Sequence, residues 1–392
     1  MITRCLELSP NESFFLLGSR AVGKKTLIDS FPHFNSAFCI NLLLSDEKKL
    51  YTHNPSHLRD IINALPNDIT HVIIHELQKI PLLIDIMAEL LHSSPKYFIL
   101  TSSNIRELKF ASPNLLTGNP IIHNLLPFTY LELKKSMTLK NALRWGLLPT
   151  IVELKSPDEK VAYLSHYAET YLQHEIIDEN IIADTEAFKR FIELVAYFNG
   201  EIIKYKKIAR DCQADKKSVR NYFIVLVDTF MGFFLVPFKQ SFRGHQRETP
   251  KFYFFDAGVA RAFAKQLSSP IRENTHYISR AFTSFIITQC KHLAAYYHRD
   301  YRLTYFRTKE ENEIELVVER LDKPLVFITI NSSKCITEKH LATLKEVTKY
   351  YWDAEAVCFS REEHIRMHNN ITIYPWAEGI KKYFGDFTTS PT

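Results

Sequence analysis

Residues Phe14 to Thr26 read F-F-L-L-G-S-R-A-V-G-K-K-T, an apolar run that enters the pattern G-x-x-x-x-G-K. A strand, a glycine-bounded loop and a helix in that order suit an anion. Gly18 and Gly23 let the backbone curl so that the N–H groups of Gly18, Ser19, Arg20, Ala21, Val22 and Gly23 face inward. Lys24 would then reach the terminal phosphates of a nucleotide, with Lys25 and Thr26 following on the helix. An ordinary strand-to-helix turn is the competing reading. A second apolar strand, Val72 to Ile74, ends in His75-Glu76, and a third ends in Thr101-Ser102-Ser103-Asn104. Glu76 has the chemistry to orient a water molecule, and polar groups such as Ser103 would face the terminal phosphate.

A second constellation is electrostatic. Between Lys204 and Arg220 stand seven basic residues, Lys204, Lys206, Lys207, Arg210, Lys216, Lys217 and Arg220, against Asp211 and Asp215. Tyr205 to Asp211, the break Cys212 to Asp215 and Lys216 to Asp228 read as helix, turn, helix. Lys216, Lys217 and Arg220 then fall at the start of the second helix, where a recognition helix meets the major groove of duplex DNA. Phe233 to Phe238 and Lys251 to Phe255 suggest a two-stranded wing whose tip would carry Arg243 and Arg247 toward flanking phosphates. The competing reading is a solvated lid helix that packs on a neighbouring core.

The elements that must position these residues have a legible order. In the first hundred residues, buried-looking strands at Phe14 to Leu17, Ala37 to Leu42, His71 to Ile74 and Lys96 to Thr101 alternate with helical spacing at Lys24 to Ser30, Pro55 to Ala64 and Ile80 to His92. This alternation predicts a parallel sheet covered on both faces. From about residue 150 long helices take over, including Asp158 to Ile176 and Asp184 to Phe198. After about residue 270 the chain returns to mixed character, with a helix from Tyr277 to Ala295 followed by strands at Arg302 to Arg307, Glu313 to Glu319 and Leu325 to Ile330. Residues Thr388 to Thr392 read as an unstructured tail.

Composition removes other classes. The chain has 392 residues, 46% hydrophobic and 13% aromatic with 10 glycines, which excludes disordered and low-complexity organisation and allows two or three cores. Its net charge of +5 permits nucleic-acid contact without demanding it. Cys5, Cys39, Cys212, Cys290, Cys335 and Cys358 are scattered without C-x-x-C spacing, so we expect reduced, mostly buried thiols and no metal site. His123, His174 and His298 stand singly and read as surface or core groups. The opening residues do not resemble a signal peptide, and Tyr222 to Phe238 is interrupted by Asp228, Gly232 and Pro237, so a cytoplasmic protein without membrane spans is expected.

Several runs follow in an order that resembles a known family. They are I-I-H-E-L-Q-K-I-P at Ile73 to Pro81, F-I-L-T-S-S at Phe98 to Ser103, L-P-F-T-Y-L-E-L at Leu126 to Leu133, L-R-W-G-L-L-P at Leu143 to Pro149, N-G-E at Asn199 to Glu201 and K-F-Y-F-F-D-A-G-V at Lys251 to Val259. Together they resemble the prokaryotic AAA-type ATPases that carry the C-terminal domain of unknown function 4143. The resemblance implies an α/β fold in three parts. A P-loop NTPase parallel sheet core spans 1–150, a helical and winged-helix domain spans 151–270, and a restriction-endonuclease-like α/β domain spans 271–385, before a tail at 386–392.

Departures from that family shape the functional expectation. Lys25 stands where the family has a Ser or Thr that ligates magnesium, and Thr26 lies about 100° further around the helix. His75 stands in place of the Walker-B aspartate, Ser102 in place of a glycine, and Asn119 in place of an arginine. Losing both oxygen ligands of a hard cation should remove most phosphoryl-transfer rate. The expectation is therefore an ATP- or ADP-binding protein with impaired hydrolysis, in which Lys24 and Lys25 offset phosphate charge and Glu76 remains as the base. The alternative is a catalytically dead structural or protein-interaction module that binds no nucleotide. At the nuclease-like site the resemblance implies Thr283, Glu315, Thr329 and Asn331 at positions that would need carboxylates and a lysine, so nuclease activity is not expected.

Overall fold

The computed structural model describes residues 2–111, 120–238, 249–273, 275–307 and 312–385. The wing-tip residues Arg243 and Arg247, the family-variant Asn119 and the C-terminal tail lie outside the described residues. The chain divides into two compact units.

The first unit comprises Leu6–Pro127 and Ile224–Met231. Its strands are β1 (Phe14–Leu17), β2 (Phe38–Asn41), β3 (His71–His75), β4 (Tyr97–Ser102) and β5 (Ile121–Asn124), in the order β2-β3-β4-β1-β5. All neighbours pair in parallel, with Phe14 opposite Ile99 and Ile121, and Ile40 opposite Ile74. Helices α1 (Lys24–Asp29), α2 (Ser45–His53), α3 (His57–Ala64), α4 (Leu82–Ser93) and α5 (Arg106–Ala111) connect or flank them. The central strands β1, β3 and β4 are almost wholly buried, which is why they read as continuous apolar runs. The edge strand β2 departs from the expected buried strand. Cys39 on it is exposed and Phe38 and Asn41 are half-buried, because an edge strand has a neighbour on one side only. The packed layer includes Phe15, Leu17, Ile74, Leu83, Met87 and Leu100.

The second unit comprises Met1–Cys5, Phe128–Phe223 and Gly232–Thr392. It begins with helices α6 (Tyr130–Leu133), α7 (Leu139–Trp145), α8 (Pro149–Glu153), α9 (Pro157–Tyr171) and α10 (Thr185–Tyr197). Next come α11 (Tyr205–Cys212) and α12 (Lys216–Asp228), the latter running on into the first unit's segment. The strands β6 (Gly232–Pro237) and β7 (Lys251–Phe254) pair antiparallel, as the wing reading expects. They do not stand apart, however. At Val236 and Pro237, β6 also pairs in parallel with β8 (Tyr301–Arg307), so the hairpin forms one end of an eight-stranded sheet in the order β12-β13-β11-β10-β9-β8-β6-β7. The remaining strands are β9 (Glu313–Arg320), β10 (Val326–Ile330), β11 (Glu355–Ser360), β12 (Arg366–His368) and β13 (Ile371–Pro375). Helices α13 (Ala257–Phe263), α14 (His276–Tyr296), α15 (Glu338–Thr348) and α16 (Trp376–Phe384) complete it. From α14, Phe282, Ile286, Cys290 and Leu293 enter a core with Tyr305, Leu316, Ile328 and Phe359.

All six cysteines are free, but only Cys212, Cys290 and Cys358 are buried, which corrects the expectation of mostly buried thiols. Cys335 lies in an exposed turn, and Cys39 owes its exposure to the sheet edge. No helix among the described residues is long and apolar enough to cross a membrane.

Candidate nucleotide-binding site

The loop between β1 and α1 is built by left-handed backbone. Ala21 has φ 60° and Gly23 has φ 93°, and Gly23 serves as an N-cap without a side chain. At Gly18 the constraint is a close approach, since a Cβ there would lie 2.2 Å from the carbonyl oxygen of Leu125. The same stretch is tied down by Gly18 N–H donating to Ser102 O at 3.2 Å and Leu125 N–H donating to Leu17 O at 2.7 Å. Within the loop, Ser19 is buried and its hydroxyl has no hydrogen-bond partner among the described residues. A buried hydroxyl in that state is costly, and a phosphate oxygen would satisfy it.

Lys24 is buried at the foot of the loop. Its ammonium donates to Gly18 O at 2.7 Å and Ser19 O at 3.2 Å, and lies 3.3 Å from Glu76 Oε1. Three donors thus meet three acceptors of the protein itself. Glu76 sits just past β3 in a left-handed conformation, φ 59° and ψ 51°, a strained setting for a side chain with a Cβ. That turn brings its carboxylate back over β4. Its Oε2 accepts from Ser103 Oγ at 2.6 Å and from Gln78 Nε2 at 2.8 Å, and its N–H donates to Thr101 Oγ1 at 3.0 Å. Burial alone would raise the Glu76 carboxyl, but the Lys24 charge and these hydrogen bonds outweigh it and hold it at about 2.

Among the sequence-predicted residues the structure thus joins Gly18, Ser19, Lys24, Glu76 and Ser103 in one network, while Gly23 caps α1. Lys25 and Thr26 are exposed on α1. The Lys25 ammonium pairs with Asp29 at 2.7 Å, one helical turn on, and does not join Lys24 at the loop. His75 is buried at the end of β3 with its Nδ1 3.5 Å from Thr101 Oγ1. Burial, then the nearby Lys25 charge, lowers the His75 pKa, so its imidazole is neutral at pH 7. Ser102 and Asn104 do not face the loop as expected. Ser102 Oγ donates to Asn104 O and Asn104 Oδ1 accepts from Arg106 N–H, which closes the turn into α5. Gln78 is the site residue that the sequence reading leaves out. Its signal is its place two residues after Glu76 in H-E-L-Q-K.

The donor set fits a phosphate and does not fit magnesium. Unpartnered Ser19, the close-approach Gly18 and the Lys24 ammonium suit an anion. An octahedral hard cation needs oxygen ligands at two positions occupied here by an ammonium and an imidazole. Among the described residues no cluster of His, Cys, Asp and Glu has the makings of a metal site.

Residues 10–134 match the family model of an AAA domain. The first unit carries an AAA-type P-loop core. The matched range nearly coincides with Leu6–Pro127, and the all-parallel order β5-β1-β4-β3-β2 sets the loop at the end of a central strand, beside the ends of β3 and β4. Residues 136–269, from α7 through α13, match a domain of unknown function (DUF8612), whereas the sequence motifs pointed to domain 4143. No curated protein matches the chain. Fifteen chains of solved structures match it. One of them, a DNA polymerase III gamma subunit-related protein from Thermotoga maritima, is 12% identical and covers 56% of this chain and 94% of its own, at a TM-score of 0.26. A likeness of that size carries no argument about this chain.

Outside the AAA core, the basic residues of α11 and α12 line an open groove of about 610 Å³, with Lys204, Lys206, Lys207, Lys216 and Arg220 around Tyr205. Gln213, at φ 57°, forms the left-handed turn between the two helices. Both nearby acids are engaged locally. Asp211 pairs with Arg210 at 3.0 Å, and Asp215 accepts from the Lys217 and Ser218 N–H groups at the start of α12. Lys216, Lys217 and Arg220 are exposed. Of the nuclease-like positions, Thr283, Glu315 and Asn331 line a single cavity, and Thr329 is buried beside it in the β10 strand. His123 packs edge-on against Phe14 and His174 bonds Asp178 at 2.6 Å, as single structural histidines do.

Proposed function

We propose that this chain is an AAA-type protein that binds ATP or ADP without a magnesium ion and hydrolyses it slowly or not at all. One observation carries the reading: a loop shaped for phosphate holds its lysine against Glu76, while the two metal-ligand positions are filled by Lys25 and His75. In the resting protein Glu76 neutralises Lys24. A nucleotide's terminal phosphate would take over the Lys24 ammonium and the Ser19 hydroxyl, which leaves Glu76 free to orient water but without a cation to stabilise the developing charge. Lys24 therefore supplies most of the charge compensation, with Lys25 drawn off by an exposed pair that is weak enough to be redirected. Calorimetric titration with ATP in EDTA tests this. Binding of similar affinity with and without magnesium is expected, and heat only in the presence of magnesium would overturn it. No binding in either condition would favour the protein-interaction module.

The groove around Tyr205 supports duplex DNA as the partner of α11 and α12, with Lys216, Lys217 and Arg220 bound to its phosphates. Such binding depends on counterion release, so removing one phosphate-binding cation should flatten the salt dependence by about one in the log-log slope. We expect Arg220→Glu with Lys216→Glu to weaken binding uniformly across sequences. Affinity that does not fall as salt rises would reject the DNA reading.

A further inference from the structure

The cavity that contains Glu315 and Asn331 has a volume of about 540 Å³ and lies wholly within the second unit. Its walls are the first turns of α14, the β7 strand, the turn at 200–204 and the ends of β9 and β10. Its charges are unevenly matched. Glu313 faces two cations, Lys251 in direct contact and Arg307 at 3.3 Å, while Arg280 is held by Glu201 at 2.6 Å. Lys204, also on the wall, has no ion-pair partner among the described residues. Glu315 accepts a hydrogen bond from Ile330 N–H at 2.9 Å, and burial together with Glu313 lifts its carboxyl to about 7.

Two further groups point to a ligand. The Tyr253 side chain is 1% exposed, its hydroxyl has no hydrogen-bond partner among the described residues, and the charges it feels are those of Glu313 and Glu315 on the cavity wall. A phenol in that position is costly unless something else completes it. Asn331, also on the cavity wall, accepts from Ser333 N–H through Oδ1, so its amide N–H groups are not used in that bond. The first turns of α14, a 21-residue helix whose N-terminal partial charge favours an anion, line the same cavity. Lys204 lines both this cavity and the basic groove.

We infer that this cavity is a phosphomonoester site that receives the terminal phosphate of a polynucleotide strand lying along the groove. The inference rests on the nucleic-acid reading of α11 and α12 for its source of phosphate, but not for its chemistry. Lys204 would hand the backbone from groove to cavity, and Tyr253, Asn331 and the head of α14 would donate to the terminal oxygens. A dianion is what such a donor-rich site distinguishes from an internal phosphodiester, since it offers more charge and another acceptor oxygen.

The test compares short oligonucleotides ending in 5′-phosphate, 3′-phosphate or hydroxyl against the full chain, with ribose 5-phosphate as a free competitor. A terminal phosphate should tighten binding about tenfold. Tyr253→Phe, which removes a hydroxyl that holds nothing in the fold, and Asn331→Asp, which adds a repelling charge, should each abolish that gain without changing affinity for the hydroxyl-ended strand. Equal affinity for all ends would overturn the inference and leave the groove reading intact. If no oligonucleotide binds, the groove reading fails alone provided calorimetry shows ribose 5-phosphate binding that Tyr253→Phe abolishes. Failure of both probes, or sugar-phosphate binding indifferent to Tyr253 and Asn331, would reject the site.

Discussion

Replacing Glu76 by Gln separates stability from nucleotide affinity. The carboxylate is held at about 2 against an ordinary 4.5, and its side chain is 13% exposed beside a Lys24 that is 8% exposed. A depression of that size corresponds to about 3 kcal/mol of folding stability. Because the folded-state pKa is the lower one, this stability is complete above pH 4.5 and is lost as pH falls toward 2. Glu76→Gln keeps a carbonyl to accept from Ser103 or Gln78 but removes the charge, leaving Lys24 with the Gly18 and Ser19 carbonyls alone. At pH 7 the variant should be about 3 kcal/mol less stable, a drop of roughly 10 °C in the melting temperature of a unit this size. Its affinity for ATP in EDTA should nevertheless rise about tenfold, equivalent to about 1.4 kcal/mol, because the phosphate no longer competes with a carboxylate for the same ammonium. Thermal melts from pH 2.5 to 7 and calorimetry on one preparation read both quantities. A folded variant with unchanged or weaker ATP binding would refute the competition between Glu76 and phosphate. A stability difference that persists undiminished at pH 2.5 would refute the ion pair as its source.

Three other outcomes follow from the geometry. Lys25→Thr combined with His75→Asp restores two oxygen ligands, and magnesium should then strengthen ATP binding and raise steady-state phosphate release; no magnesium response would mean that the metal site is lost for another reason. Gly146→Ala should destabilise the second unit by about 3 kcal/mol or more in urea denaturation, since Gly146 has φ 74° and a Cβ there would lie 2.0 Å from Asp256 Oδ1. Asp256, buried while accepting from the Leu147, Gly258 and Val259 N–H groups, has its carboxyl raised by desolvation to about 6 from 3.8. Its contribution is thus complete below pH 3.8 and lost as pH rises through 6. The stability of Asp256→Asn relative to the natural chain should therefore improve by about 2 kcal/mol between pH 4 and pH 7, as read from paired denaturation curves.

The AAA core was legible because its signals are local. Phe14 to Leu17 and Val72 to Ile74 are buried on both faces, so composition alone marks them as central strands, and Gly18, Gly23 and Lys24 must be adjacent in sequence to form one loop. The places of Lys25 and His75 were legible for the same reason, as they stand at fixed offsets from that loop and that strand. Edges were harder to read. The strand β5 is four residues long with a single buried position, and α2 carries one buried residue, so neither has an apolar pattern to display. The sequence likewise marks Lys204 to Arg220 as basic, but not that Asp211 is engaged by Arg210 and Asp215 by the N–H groups at the start of α12.

What the sequence by itself determined is the loop, its lysine, the residue types at Lys25 and His75 and the alternation that makes a parallel sheet. Only the tertiary structure decided where those groups point. The left-handed turn at Glu76 aims a carboxylate at Lys24, Asp29 draws Lys25 away, and the pairing of β6 with β8 joins the hairpin that carries Tyr253 to the sheet that carries Glu315, so that both line one cavity with Asn331. The physical reason is range. Backbone curvature and strand burial are written in neighbouring residues, whereas the charge state of a buried carboxylate depends on whichever cation a distant segment brings within a few ångströms of it.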